Sequence, residues 1–236
     1  MGISPGRPHC TTHTAQPSGV LPARGMGRST LTIAIDLYNG ATQTIATACY
    51  GAYQVGYGGT FQQLGSFYVY GAIDSKAMMW AGNRSSFIWL HPPSGYATSQ
   101  ALAMNGIYQA GTASVKFRDA NGKDAFSNRA VRWSSTATSM VELQLPAGSL
   151  IVTYTATSVT SQGSVAGYGG ELQPNGVLNL HALYWPNALA PAIDLNSFLP
   201  PGYSNAVANS IDESGRIFGS AMVGGSQHAV MWVPVP

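Results

Sequence analysis

Four basic side chains recur at a regular interval along this 236-residue chain, and they are the groups best suited to acid–base or anion chemistry. Each opens a short segment that ends on a tryptophan four residues later; they are Lys76, Arg129, His181 and His228. A neutral histidine can act as a general base, while lysine or arginine stabilises developing negative charge. Together with His91, they suit the hydrolysis of activated esters or phosphoesters. The simpler hypothesis is structural, with each base fastening a neighbouring loop.

The interval between these segments predicts a repeat architecture. Their first positions, 76, 129, 181 and 228, are 53, 52 and 47 residues apart. Self-similarity at about 40–50 residues is typical of propeller blades or solenoids. The elements that position the basic side chains are therefore expected to repeat four times.

Each unit contains the same four short strands, in the order acidic or apolar strand, alanine strand, glycine-flanked strand and tryptophan strand. No segment shows a sustained helical period, so helix should be almost absent. An additional hairpin is possible between residues 58 and 75, which carry several aromatics. The alanine strands are predicted at residues 44–48, 100–104, 152–157 and 205–209.

The phase of the repeat predicts how the chain ends meet. It begins with a strand of the kind that normally follows a tryptophan strand, and it ends on a tryptophan strand whose follower is missing. A ring of four-stranded blades leaves only short, protected edges. We therefore predict an all-β, four-bladed β-propeller over residues 31–236, closed by pairing of the first strand (about 31–37) with the last (about 228–232).

The units resemble those of the extracellular HAF-repeat family, which read roughly His-Ala-Phe-x-Trp, an Asp-Leu strand, an alanine strand and Gly-x-Val-x-Gly. The match is best where the chain reads His228-Ala229-x-x-Trp232 and Ala192-Ile193-Asp194-Leu195. Lys76 and Arg129 depart from it, since they replace the family histidine. The resemblance implies a secreted or cell-envelope protein. The strand order is also similar to that of WD-repeat propellers, and this likeness implies that the alanine strands line the axis.

The loops from each outer strand to the next inner strand should border the mouth of such a ring. Aromatic and amide side chains around a concave site suit a saccharide or another small neutral ligand, although tyrosines also pack loops. The predicted ligand-binding residues are Tyr38, Asn39, Tyr96, Asn196 and Tyr203.

Two main functional hypotheses follow, because a fold by itself does not decide function. The leading one is a ligand-binding or interaction module with a small-molecule site at the axial mouth. The alternative is a hydrolase that uses His91, His181 and His228 with Lys76 and Arg129. A structural or display role is a third possibility. A three-histidine zinc site would require His91, His181 and His228 to meet, which their predicted radii disfavour.

Composition limits the partners. Charged residues are 8% of the chain, and three of its eleven basic residues lie in the first thirty positions, which leaves a body near −1. Nucleic-acid binding normally needs a basic surface, so we expect none. The carboxylates do not converge, and we predict no metal and no cofactor.

The first thirty residues are expected to form a disordered tail, either native or the product of an extended reading frame. They contain no apolar run long enough for a signal-peptide core or a membrane span. We expect no membrane association. Cys10 and Cys49 do not indicate a disulfide framework.

Overall fold

The computed structural model describes residues 43–59, 63–64, 67–68, 74–119 and 121–235. Over these residues the protein is all-β, with four antiparallel sheets and no α-helix, which confirms the predicted class and the near absence of helix. The predicted tail (1–30), the predicted first strand (31–37), Tyr38 and Asn39 lie outside the described residues. The regular non-strand elements are three short 3₁₀ turns, Arg84–Ser86, Ala137–Ser139 and Leu195–Phe198.

The strands follow the predicted order in every sheet. Sheet 1 contains β1 (Gln43–Tyr50), β2 (Tyr53–Gly59), β5 (Lys76–Trp80) and β6 (Ile88–Trp89). Sheet 2 contains β7 (Thr98–Asn105), β8 (Tyr108–Arg118), β9 (Asp124–Trp133) and β10 (Val141–Glu142). Sheet 3 contains β11 (Ile151–Val159), β12 (Val165–Leu172), β13 (Leu178–Trp185) and β14 (Ile193–Asp194). Sheet 4 contains β15 (Tyr203–Ile211), β16 (Ile217–Val223) and β17 (Ser226–Trp232).

A separate two-stranded hairpin interrupts the first unit. It is formed by β3 (Gln63–Leu64) and β4 (Phe67–Tyr68). It lies between β2 and β5, where the sequence suggested an additional hairpin. The four main sheets therefore keep the same strand order despite this insertion.

The alanine strands pack against one another from sheet to sheet. β1 contacts β7, β7 contacts β11, and β11 contacts β15. Ala101, Ala156 and Ala208 are fully buried in these strands, since only small side chains fit where neighbouring backbones approach closely. Among the described residues no comparable packing joins β15 to β1. A closed ring is thus not part of the described structure.

Each inner strand carries a β-bulge at the same place, and each bulge faces a glycine on the second strand. A β-carbon on any of these glycines would overlap a carbonyl oxygen of the inner strand. Only glycine therefore permits this close approach. The four positions are Gly56, Gly111, Gly167 and Gly219.

Two of the bulges also join neighbouring sheets. Thr47 Oγ1 donates to the carbonyl of Ala101 at 2.6 Å, from sheet 1 to sheet 2. Thr157 Oγ1 donates to the carbonyl of Ala208 at 2.8 Å, from sheet 3 to sheet 4. The inner strands are consequently held by hydrogen bonds as well as by alanine packing.

The repeated tryptophans pack between sheets. Trp185 Nε1 donates to the carbonyl of Gln144 at 2.8 Å, and Trp232 Nε1 donates to the carbonyl of Leu195 at 3.1 Å. In each case the acceptor lies on the outer segment of the preceding sheet. Trp80 and Trp133 are buried as well, so the recurrence of tryptophan is explained by packing within the protein.

Cys49 is disulfide-bonded, which corrects the expectation from the sequence. The only other cysteine of the chain, Cys10, lies outside the described residues. Two cysteines 39 positions apart give no spacing pattern from which a pairing could be predicted. No helix among the described residues is long and apolar enough to cross a membrane.

Candidate binding cleft and its charged support

Sheet pairing sets where the recurrent basic side chains lie. In sheet 2 Val131 pairs with Glu142, and in sheet 3 Leu183 pairs with Asp194. The basic residue lies two positions before Val131 or Leu183, on the same face of the strand. In these two sheets the base is thus diagonal to an acid on the outer strand, within reach of a long side chain. In sheet 1 the equivalent residue, Met78, pairs with Trp89, so Lys76 has no acid at this place.

His181 is held between two carboxylates. Its Nδ1 lies 2.7 Å from Asp194 Oδ2, and its Nε2 lies 3.2 Å from Glu171 Oε2. The Asn179 amide is 3.1 Å from the same Nε2. The side chain is only 17% exposed. Both ring nitrogens therefore have partners within the protein.

Asp194 and Asn196 support this arrangement from the outer strand. Asp194 Oδ1 accepts from the Asn196 backbone N–H at 2.9 Å and so caps the turn Leu195–Phe198. The Asn196 amide accepts from the Ala182 N–H at 3.1 Å and donates to the Leu180 carbonyl at 2.9 Å. Asn196, predicted to bind ligand, thus has its side-chain amide engaged by the backbone of β13.

A second cluster surrounds Glu142 in sheet 2. Tyr96 and Tyr154 donate their hydroxyls to its two oxygens at 2.6 and 2.8 Å. Arg129 Nε lies 3.8 Å from the same carboxylate, and its guanidinium lies 5.5 Å from the Tyr154 ring centroid. Burial and the hydrogen bond to Glu142 raise the pKa of Tyr96 to about 12, and they raise the pKa of Tyr154 as well. The cluster keeps both phenols protonated.

In sheet 1 the predicted residues Lys76 and His91 lie near each other. His91 Nδ1 is 2.8 Å from Ser99 Oγ, which accepts from the Ala77 backbone N–H at 3.0 Å. Burial, together with the charge of Lys76, lowers the pKa of His91. His91 is therefore neutral near pH 7 and is tied to a buried serine.

In sheet 4 His228 is exposed and lies beside an aromatic ring. The Tyr203 ring lies 6.3 Å from it, centroid to centroid, in an edge-on orientation. Within the part of the chain that the structure describes, no carboxylate contacts His228. This environment differs from that of His181 at the equivalent place.

The structure thus brings the described members of the predicted set together in small groups, sheet by sheet. The three histidines belong to sheets 1, 3 and 4, and no group of three His, Cys, Asp or Glu among the described residues could hold a metal ion. The three-histidine site is not formed. The groups that do form are Lys76 with His91, Arg129 with Tyr96, His181 with Asn196 through Asp194, and His228 with Tyr203.

Next to His181, an open cleft of about 370 Å³ lies between sheets 3 and 4. The β12–β13 hairpin forms one wall, and the start of β15 forms the other. The hairpin turn is set by Asn175, whose Oδ1 accepts from the Val177 N–H at 3.0 Å, and by Gly176 with φ +81°. The lining residues are Gln173, Asn175, Val177, Leu178, Asn179 and Asn205.

Several amide groups in this cleft have unused hydrogen-bonding capacity. Asn205 Oδ1 accepts from the Leu180 N–H at 2.9 Å, and φ +49° at Asn205 fixes its orientation. Within the described residues, Asn205 Nδ2, Asn175 Nδ2 and the whole Gln173 side-chain amide make no hydrogen bond. The sequence did contain a signal, because Gln173 and Asn175 flank a proline and precede Asn179 closely. Only the structure shows that sheet 4 completes the cleft.

No known family model, characterised protein or solved structure matches this chain. Its function therefore has to be inferred from the geometry of its own residues.

Proposed function

We propose that the four sheets are the blades of a closed four-bladed propeller, in which residues 31–37 supply the outer strand of sheet 4. Three sheets have four strands in the same order, and sheet 4 lacks only the outer one among the described residues. The inner strands already pack consecutively from sheet 1 to sheet 4. The HAF-repeat resemblance favours the same closure and is itself part of this proposal.

With this fold, the protein acts as a binding module for a small neutral ligand of the saccharide class. The observation that carries this function is the amide-lined cleft between sheets 3 and 4. Its amides offer both donors and acceptors to hydroxyl groups, and Val177 (60% exposed) and Leu178 (40%) offer apolar surface to the carbon skeleton. A few convergent polar groups beside apolar surface are typical of small-molecule sites.

The charges near the cleft favour a neutral ligand. His181 faces both Glu171 and Asp194, so these three groups already interact with one another. An anionic ligand would approach two carboxylates, and a cationic one would compete with the histidine. Hydroxyl groups carry neither penalty.

A binding measurement tests this function. Gln173→Ala, screened with the parent protein on an array of neutral oligosaccharides and then by calorimetry, should weaken the best binder about tenfold, as expected for one hydrogen bond. Asn121→Ala, an exposed asparagine on the β8–β9 hairpin, should leave binding unchanged. Absence of any glycan binding by the parent protein would contradict the proposal.

The hydrolase hypothesis is the second candidate, because the His181 Nδ1–Asp194 distance of 2.7 Å suits a general base oriented by a carboxylate. Its weakness is that Glu171 and Asn179 already face Nε2, the nitrogen that would act on a water molecule. Lys76 and Arg129 belong to other sheets. Turnover of chromogenic esters that is lost in His181→Ala, with the melting temperature retained, would favour the enzyme.

We also infer secretion or attachment to the cell envelope, with no nucleic-acid or membrane partner. The disulfide at Cys49 supports this location, since disulfides persist mainly in oxidising compartments. The low charge content supports the absence of a nucleic-acid partner.

A further inference from the structure

The outer edge of β17 is unpaired among the described residues. In sheets 1 to 3 the equivalent edge pairs with β6, β10 or β14. Next to the open edge, Met231 and Val233 are each 55% exposed, and both line an apolar groove of about 440 Å³. Exposed apolar side chains along an unpaired strand indicate a missing partner segment.

The sequence of the chain identifies that segment. Residues 34–37 read Ala-Ile-Asp-Leu, letter for letter the same as residues 192–195, which contain β14. His228-Ala229 on β17 likewise repeats His181-Ala182 on β13. In sheet 3 the histidine of one motif contacts the aspartate of the other at 2.7 Å.

We propose that residues 34–37 dock on β17 in the register of sheet 3, with the Asp36 carboxylate bound to His228. In sheet 3 the residue before the tryptophan, Tyr184, pairs with Ile193. The same offset places Ile35 opposite Met231 and Asp36 opposite Val230. This proposal rests on the propeller closure and adds its register and its polar contact.

The charge pattern of sheets 2 and 3 supports this contact, whereas the outer strand of sheet 1 has Trp89 at this place. Sheet 2 has Arg129 with Glu142 at this place, and sheet 3 has His181 with Asp194. Sheet 4 has the base, His228, and its imidazole ring stays exposed although Tyr203 lies beside it. Asp36 is the acid that the repeat assigns to it.

A double-mutant cycle in the full-length chain tests the contact. Asp36→Asn and His228→Gln should each lower the melting temperature by about 2–4 °C, and the double variant should fall no further than the larger single effect. The cycle Asp194→Asn with His181→Gln is the matched control, since the structure shows that contact. Fully additive effects for Asp36 and His228 would overturn the proposed contact.

Leu37→Ala separates failure of the contact from failure of the closure. The equivalent residues Leu90, Leu143 and Leu195 are buried. If Leu37 is docked in the same way, its truncation to alanine should lower the melting temperature of the protein by about 10 °C. If the melting temperature falls but the Asp36 and His228 substitutions are additive, the closure is supported and the Asp36–His228 contact is overturned. If the melting temperature does not fall, both the closure and the contact are overturned. Docking on a second copy would instead give a dimer by size-exclusion chromatography, which would overturn the intrachain arrangement.

Discussion

Sheets 3 and 4 carry the same His-Ala pair at the same point of the third strand, yet the two histidines have different surroundings. His181 lies between Asp194 and Glu171, whereas His228 is exposed beside Tyr203. The main difference is the outer strand, which sheet 3 has and which sheet 4 lacks among the described residues. The carboxylates around His181 therefore come from the two strands that pair with its own, β12 and β14.

The largest expected effect tests whether the two sheets share a core independent of the outer strand. Gly167→Ala and Gly219→Ala should each cost about 3 kcal/mol or more, because the new β-carbon overlaps the carbonyl of Thr155 or Val207. Urea unfolding measures the loss. Gly170→Ala, whose nearest neighbours are flexible atoms of Leu178, serves as the control and should cost much less. If Gly219→Ala lowered the free energy of unfolding much less than Gly167→Ala, the cores of sheets 3 and 4 would not be equivalent.

A smaller effect sharpens the comparison with sheet 2, where arginine replaces the histidine. The folded-state pKa of Tyr96 is raised to about 12, so its neutral form contributes stability that is present below pH 10 and is lost as pH rises towards 12. Tyr96→Phe should remove one tyrosine that ionises late in an absorbance titration and should reduce the alkaline loss of stability. An unchanged titration curve would show that Glu142 does not hold this phenol.

Much of the fold was predictable because each strand type carries its own local constraint. Glycine facing a bulge, alanine at the crowded inner strands and one tryptophan packed in each sheet all follow from packing, and each leaves a mark on the sequence. The length of the outer strands was less predictable. Residues 87–90 have the composition of a strand, but the strand itself covers only Ile88 and Trp89, and the Leu90 N–H adds one more hydrogen bond, to the Ala77 carbonyl at 2.9 Å.

The site was less predictable than the fold, because contacts between sheets depend on positions far apart in sequence. Of the two carboxylates that contact His181, only Asp194 occupies a position that the repeat makes recognisable. Glu171 comes from the neighbouring strand β12. Asn205 reaches the cleft from the next sheet. The disulfide of Cys49 gave no signal in the spacing of two cysteines.

The most direct test of the central claim, that residues 31–37 complete sheet 4 within the same chain, is a cross-strand disulfide. Cysteines at Ile35 and Met231 should form an intrachain link, identified by peptide mass spectrometry, as efficiently as cysteines at Ile193 and Tyr184, which pair in sheet 3. Cysteines at Ile35 and Ala229 should link poorly, because that register is wrong. The claim would be contradicted if the sheet 3 pair formed its link and the Ile35–Met231 pair did not.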